Sequence, residues 1–134
     1  AWGLRLAGAA KVVMVAVSGI VLLVHGSRDP LWRRPIERVA AHMREHDAQV
    51  LVACAYLELT EPDLATATAQ LLERGADSIR VVPMFLGIGQ HVRDDLPRLV
   101  AELKVRYPQI RLTLQPAIGE DARMIELMAQ IALS

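Results

Sequence analysis

The sequence predicts an α/β domain built on a doubly wound parallel sheet of four strands. Short apolar runs alternate four times with longer segments whose apolar residues recur at helical spacing. The first run includes five consecutive branched aliphatic residues, 20–24, which is typical of a central parallel strand buried on both faces. Because a doubly wound sheet reverses direction once, we expect the strand order 2-1-3-4, with helices on both faces.

Each predicted element has a local sequence signal. The apolar runs predict strands at residues 15–24, 50–57, 79–84 and 110–114. Helices are expected at residues 31–46, from Thr60 or Glu61 with Pro62 in the first turn to a stop at Gly75, and at residues 91–106. Asp121 can cap a last helix, whose apolar stripe consists of Met124, Leu127, Met128 and Ile131.

The amino-terminal segment superficially resembles the start of a secretory signal, because Lys11 precedes the mostly apolar residues 12–24. This stretch is too short for a transmembrane helix, and reading it as a signal would remove the strand that ends before His25. We therefore predict that residues 1–13 form an N-terminal extension ahead of Met14, a potential natural start. Residues 14–134 are then one domain.

Composition excludes several classes of partner. Fifteen basic and fifteen acidic residues cancel, so no overall field attracts nucleic acid or an anionic membrane. The single cysteine, Cys54, lies in an apolar run, which excludes an internal disulfide and suits a reducing compartment. We expect a cytoplasmic protein that binds neither nucleic acid nor membrane.

Metal-binding side chains follow three successive predicted strands: His25, Glu58 and His91. The carboxyl ends of parallel strands meet at one edge of the sheet, where ligands bind in open α/β folds. Two imidazoles and a carboxylate suit a divalent transition metal and leave a coordination position open for exchange. Each residue alone also has a structural explanation, as a turn residue, an exposed acid or a helix start. Their joint placement favours metal chemistry.

A second histidine pair offers a competing metal site. His42 and His46 are spaced one helical turn apart and could clamp a metal. No third ligand is adjacent in the sequence and the neighbouring residues are charged, so a solvated helix face explains the pair better.

Other catalytic motifs match poorly. The glycines of Gly87-Ile88-Gly89 could bring backbone N–H groups close to a carboxylate or phosphate, but they follow the third strand and lack the rest of a dinucleotide fingerprint or P-loop. Ser27 lies outside any Gly-x-Ser-x-Gly elbow. In the Arg-His-Gly motif of histidine phosphatases, the arginine position corresponds here to Val24.

Three segments in order resemble the short CbiX/SirB-type sirohydrochlorin chelatases: LLVHGSRD at residues 22–29, YLELTEP at 56–62 and VPMFLGIGQHVRDDLP at 82–97. The resemblance runs from residue 19 to the end. It implies the class II chelatase fold and insertion of a divalent metal into sirohydrochlorin without nucleotide, for cobalamin, siroheme or a nickel tetrapyrrole. Co²⁺ is favoured, with Fe²⁺ and Ni²⁺ as alternatives. The chain lacks the histidine-rich insertion of many nickel-type members, which counts against nickel only.

The resemblance also implies residue roles. The family's two histidines correspond to His25 and His91 and its acid to Glu58, as catalytic groups and metal ligands. A neutral imidazole can hold a metal or accept a pyrrolic proton near neutral pH, and Glu58 can be a third ligand or relay that proton. The metal is a substrate, so no tightly bound cofactor is expected.

Sirohydrochlorin carries many carboxylates, so we expect basic side chains and backbone N–H groups to bind it. The candidates near the three strand ends are Ser27, Arg28, Gly87, Gly89 and Arg93. The longer chelatases contain two such α/β halves around one cleft, so we expect this shorter chain to form a homodimer.

Two other functions would use the same residues. A metal or tetrapyrrole carrier would bind with these ligands but without turnover, and a phosphate-handling enzyme would use His25 and the glycine-rich loop on a phosphoryl group. Incubation with Co²⁺ and sirohydrochlorin distinguishes these functions, because only a chelatase inserts the metal catalytically, whereas a carrier binds stoichiometrically.

Overall fold

The computed structural model describes residues 2–7 and 11–134, with side chains from residue 16 onward. Its main sheet has four parallel strands in the order β4-β3-β5-β6. The strands are β3 (Ser18–Val24), β4 (Leu51–Tyr56), β5 (Ser78–Pro83) and β6 (Arg111–Leu114). This is the predicted order 2-1-3-4, so the predicted fold class is confirmed.

The central strand β3 separates two apolar layers because its side chains alternate between the faces of the sheet. Val21 and Leu23 belong to one buried cluster and Leu22 and Val24 to the other. All four side chains are buried. The run of branched aliphatics thus has the predicted role of a strand covered on both sides.

The helices are α1 (Arg34–His46), α2 (Leu64–Glu73), α3 (Gln90–Arg106) and α4 (Ala122–Leu133). On one face, α2 and α3 pack through Leu71, Leu96 and Val100 against β3 and β5. On the other face, α1 packs through Ile36 and Ala40. Helices therefore cover both faces, as predicted, but α4 buries none of its residues.

The amino-terminal segment corrects the predicted start of the central strand. Residues 2–7 and 11–16 form an antiparallel hairpin, β1 (Trp2–Ala7) with β2 (Lys11–Ala16). The predicted strand at 15–24 therefore begins too early, since residues 15 and 16 belong to β2. Val17 separates the strands because its N–H donates to the Asp77 carboxylate and its carbonyl accepts from the Asp77 N–H, at 3.1 and 2.8 Å. The predicted domain boundary at residue 13 falls inside β2.

Helix α2 also begins later than predicted. Asp63, rather than Thr60 or Glu61, is its N-cap and accepts a hydrogen bond from the Thr66 N–H at 2.8 Å. Pro62 lies before the helix, where its carbonyl accepts from the Tyr56 N–H at 2.9 Å. The chain between β4 and α2 is therefore a loop that folds back on the strand end.

Asp121 caps α4 as predicted, accepting from the Arg123 N–H at 2.9 Å.

In the part of the chain that the structure describes, no helix has the length and apolar character needed to cross a bilayer.

Candidate functional site

Four loops meet beyond the carboxyl ends of the sheet. We call them the first, second, third and fourth site loops, comprising residues 25–29, 57–63, 84–89 and 115–121. The first follows the central strand β3, and the second and third follow its neighbours β4 and β5. The sheet order therefore places the loop carrying His25 between the loops that carry Glu58 and lead to His91.

The parallel ladder continues beyond the strands into the first and second site loops. The Leu57 N–H donates to the Val24 carbonyl, and the Glu58 N–H donates to the His25 carbonyl, both at 2.9 Å. Gly26 has φ +109°, and a Cβ at this position would overlap the Glu58 carbonyl oxygen. Only glycine satisfies both conditions, so the backbones of His25 and Glu58 are held side by side.

Thr60 ties the same two loops together a second time. Its hydroxyl donates to the Ser27 carbonyl at 2.6 Å and accepts from the Ser27 N–H at 3.3 Å. The Ser27 hydroxyl oxygen in turn accepts from the Asp29 N–H at 3.1 Å. From the sequence, Thr60 is predicted only as a helix start, and this role is missed because nothing in the local sequence shows which loop lies opposite it.

His25 is exposed but rests on a buried aromatic ring. Its imidazole centroid lies 4.4 Å from that of Phe85, with the two planes tilted by 33°. The fourth site loop holds the backbone of Phe85, because the Phe85 carbonyl accepts a hydrogen bond from the Gly119 N–H at 2.9 Å. A Cβ on Gly119 would overlap the backbone of Leu86, so the fourth site loop packs directly under the third. This support for His25 was also missed from the sequence.

His91 is the second residue of α3, exposed at the end of the third site loop. Gly89 is the N-cap and supplies no side-chain cap, and a Cβ on Gly87 or Gly89 would meet no other atom within 4 Å. A ligand therefore has steric access to this backbone. The Arg93 guanidinium bonds the Ile88 carbonyl at 3.3 Å, and so holds this loop.

The three candidate ligands do not form a preassembled metal site. Within residues 2–7 and 11–134, no three His, Cys, Asp or Glu side chains converge closely enough to hold a metal. His25, Glu58 and His91 are instead exposed groups at one edge of the sheet, as is Arg28. The competing pair, His42 and His46, stacks on α1 with ring centroids 5.9 Å apart.

Cys54 lies on the α1 side of β4, with its sulfur 3.9 Å from the Ile36 carbonyl oxygen. Burial raises the pKa of this thiol, which keeps it protonated and a poor metal ligand at neutral pH.

A sequence model of the CbiX family matches residues 19–133. The chain belongs to the CbiX family. This match begins in β3 and ends in α4, so it covers the whole four-stranded domain and all four site loops. The resemblance inferred from three segments is thereby confirmed across the fold.

The chain is similar to curated proteins named sirohydrochlorin cobaltochelatase. It is 34% identical to the protein of Saccharolobus solfataricus over 118 residues, which is 84% of this chain and 91% of the relative. It is 31% identical to the protein of Sulfolobus acidocaldarius, over 85% of this chain and 89% of the relative.

Two solved structures show the same fold. A CbiX protein described as a putative cobalamin biosynthesis protein, from Marinobacter aquaeolei, aligns with a TM-score of 0.75 and 31% identity, over 87% of this chain and 94% of that one. The sirohydrochlorin chelatase SirB of Bacillus subtilis, in complex with cobalt, aligns with a TM-score of 0.73 and 27% identity. The match covers 87% of this chain but only 50% of SirB.

Replacing Gly26 by alanine should destabilise the junction of the first and second site loops. The substitution adds a Cβ at positive φ and against the Glu58 carbonyl, so we expect the free energy of unfolding to fall by more than about 1 kcal/mol. Gly87→Ala is the matched control, because its Cβ enters open space, and its effect should be within about 0.5 kcal/mol. Chemical denaturation measures both. Equal stability of Gly26→Ala and wild type would contradict this close approach.

Proposed function

We propose that the protein is a sirohydrochlorin cobaltochelatase, a lyase that inserts a divalent metal into the tetrapyrrole without nucleotide. The observation that carries the proposal is the match to proteins of that name over 84–85% of the chain. The cobalt-bound SirB structure with the same fold supports Co²⁺ as the metal, with Fe²⁺ and Ni²⁺ as alternatives. Ligands of this type accept all three metals, and selectivity comes from geometry and supply.

Insertion requires two coupled events: the macrocycle loses two pyrrolic protons, and the metal sheds its water. In the proposed mechanism, His25 and His91 divide these tasks as metal ligand and proton acceptor. Glu58 acts as a third ligand or relays the released proton. Exposure of all three side chains supports such a role, because a metal that is passed on needs an open, reversible site instead of tight structural coordination.

The rim carboxylates of the substrate are proposed to bind around the same loops. Exposed Arg28 offers an unshielded guanidinium, and the N–H groups near Gly87 and Gly89 are sterically accessible. Ser27 and Arg93 contribute while also holding their own loops.

We propose a place in cobalamin or siroheme biosynthesis, in the cytoplasm, with the metal as substrate and no tightly bound cofactor. The free thiol of Cys54 supports a reducing compartment. A carrier that binds metal or tetrapyrrole without turnover is the second candidate, because binding alone would use the same exposed side chains at the strand ends.

Replacing His25 or His91 by alanine should lower the rate of Co²⁺ insertion at least about a hundredfold, because each removes a ligand or proton acceptor. Both side chains are exposed, so the folded state should persist. His42→Ala, on the exposed side of α1, is the matched control and should retain the wild-type rate. The change in sirohydrochlorin absorbance measures insertion. Wild-type rates in His91→Ala would remove this residue from the mechanism, and stoichiometric binding without turnover by the unaltered protein would favour the carrier.

We further propose that the protein works as a homodimer. Helix α4 carries its apolar stripe in the predicted positions, yet Leu127 and Ile131 are 47% and 64% exposed. A single α/β half offers one wall for a macrocycle, and SirB, with twice the aligned length, supports a second half opposite it. A second copy of this chain is the proposed occupant.

The sheet has a matching uncovered surface on the α1 side. A groove of about 400 Å³ runs between α1 and the start of α4, over the half-buried side chains of Ile20, Val82 and Met84. Because residues at the start of α4 line this groove, a twofold axis there would let each α4 cover the groove of the other copy.

Placing aspartates at Leu127 and Ile131 together should convert the dimer to a monomer, because two charges would enter the apolar contact. Ala129→Asp adds a charge on the opposite side of α4 and should leave the dimer intact. Light scattering measures the mass of each. An unaltered protein that turns over as a strict monomer would exclude this proposal.

A further inference from the structure

Two exposed leucines flank His25 in the site loops. Leu59 lies in the second site loop, directly after Glu58, and Leu86 lies in the third, directly after Phe85. Their side chains are 56% and 71% exposed. Since β3 lies between β4 and β5, the two leucines are carried by the loops on either side of the histidine.

Leu59 adopts a backbone conformation that is unfavourable for leucine. Its φ is +63°, and the Thr60 N–H donates to the Glu58 carbonyl across it at 2.7 Å. Glycine or asparagine is the usual residue in this region, because a Cβ crowds the following carbonyl oxygen, and only the short polar side chain of asparagine offsets that cost by local hydrogen bonding. A leucine here combines backbone strain with an exposed apolar side chain, and strain of this kind clusters at ligand sites.

Leu86 is exposed, and its backbone packs against the fourth site loop. Gly119 packs against the Leu86 backbone so closely that no Cβ would fit, and the Gly119 N–H holds the preceding carbonyl. The fourth site loop therefore packs against the backbone of the third, while the Leu86 side chain stays in solvent.

We infer that Leu59 and Leu86 are positioning residues that contact the apolar face of the macrocycle and hold its centre over His25. This rests on the proposed function and names the part of the substrate that these loops recognise. A conjugated tetrapyrrole has a broad apolar face and charged groups only at its rim, so its face requires apolar contacts that arginines and N–H groups do not supply. Of the other exposed leucines, Leu31 follows the first site loop, Leu99 lies in α3, and Leu127 and Leu133 lie in α4.

Leu59→Gly distinguishes a role in binding from a role in stability. It removes the apolar side chain that would contact the substrate, and it also relieves the backbone strain, so stability should not fall. We expect unchanged or higher thermal stability, with a Kd for metal-free sirohydrochlorin raised about tenfold. Leu86→Ala should raise that Kd by a similar factor. In both variants KM should rise more than kcat falls, and Co²⁺ affinity should stay at the wild-type value. Val105→Ala, at an 82% exposed position of α3, is the control and should change none of these quantities.

Fluorescence titration with the metal-free macrocycle, thermal melting and light scattering measure these outcomes. A wild-type Kd in both leucine variants would overturn the inference while leaving the chelatase proposal intact. Loss of dimer mass in the variants would also overturn it, because the leucines would then face a second copy. An unaltered protein that neither binds nor metallates sirohydrochlorin would instead contradict the proposed function.

Discussion

The close approach of Gly26 to the Glu58 carbonyl is the constraint on which the site depends. It lets the parallel ladder of β3 and β4 continue past the strand ends, so that His25 and Glu58 leave the sheet side by side. The Thr60 hydroxyl reinforces the same junction through both backbone groups of Ser27. The candidate imidazole and carboxylate are thus positioned by backbone geometry, while both side chains stay exposed.

The third site loop completes the arrangement by a different route. Phe85 is buried beneath the His25 ring, and the fourth site loop supports it through Gly119. The loop backbones pack tightly at Gly26 and Gly119, whereas the candidate ligand side chains at the same edge are exposed. Such a division suits an enzyme whose substrates, a metal ion and a flat macrocycle, both have to leave as one product.

The same chain leaves two kinds of apolar surface uncovered. The groove beside α1 and the exposed stripe on α4 are the surfaces that the proposed homodimer would bury. The exposed side chains of Leu59 and Leu86 belong to the loops on either side of the loop that carries His25, where we propose that they contact a small ligand. Burial of either surface would stabilise a complex through the hydrophobic effect, so the dimer and the bound macrocycle need separate measurements.

The fold was predictable because the strand signals are local: branched aliphatics at residues 20–24, alternation with helical segments and a forced sheet reversal give the observed order. The candidate residues His25, Glu58 and His91 were found by position after strands, and their roles stay proposals. What sequence reasoning missed depends on contacts between distant segments. Val17 separates β2 from β3 through its two hydrogen bonds to Asp77, and the roles of Thr60 and Gly119 appear only once the loops meet.

The central proposal is that metal binds at the carboxyl edge of the sheet. Histidines elsewhere in the chain serve as an internal control. Its four histidines divide into His25 and His91 at that edge and the stacked pair His42 and His46 on α1. Titration of the protein with paramagnetic Co²⁺, observed by NMR of the imidazole protons, tests the choice directly. We expect the signals of His25 and His91 to shift and broaden first, while those of His42 and His46 remain unchanged. A response confined to His42 and His46 would contradict the proposed site.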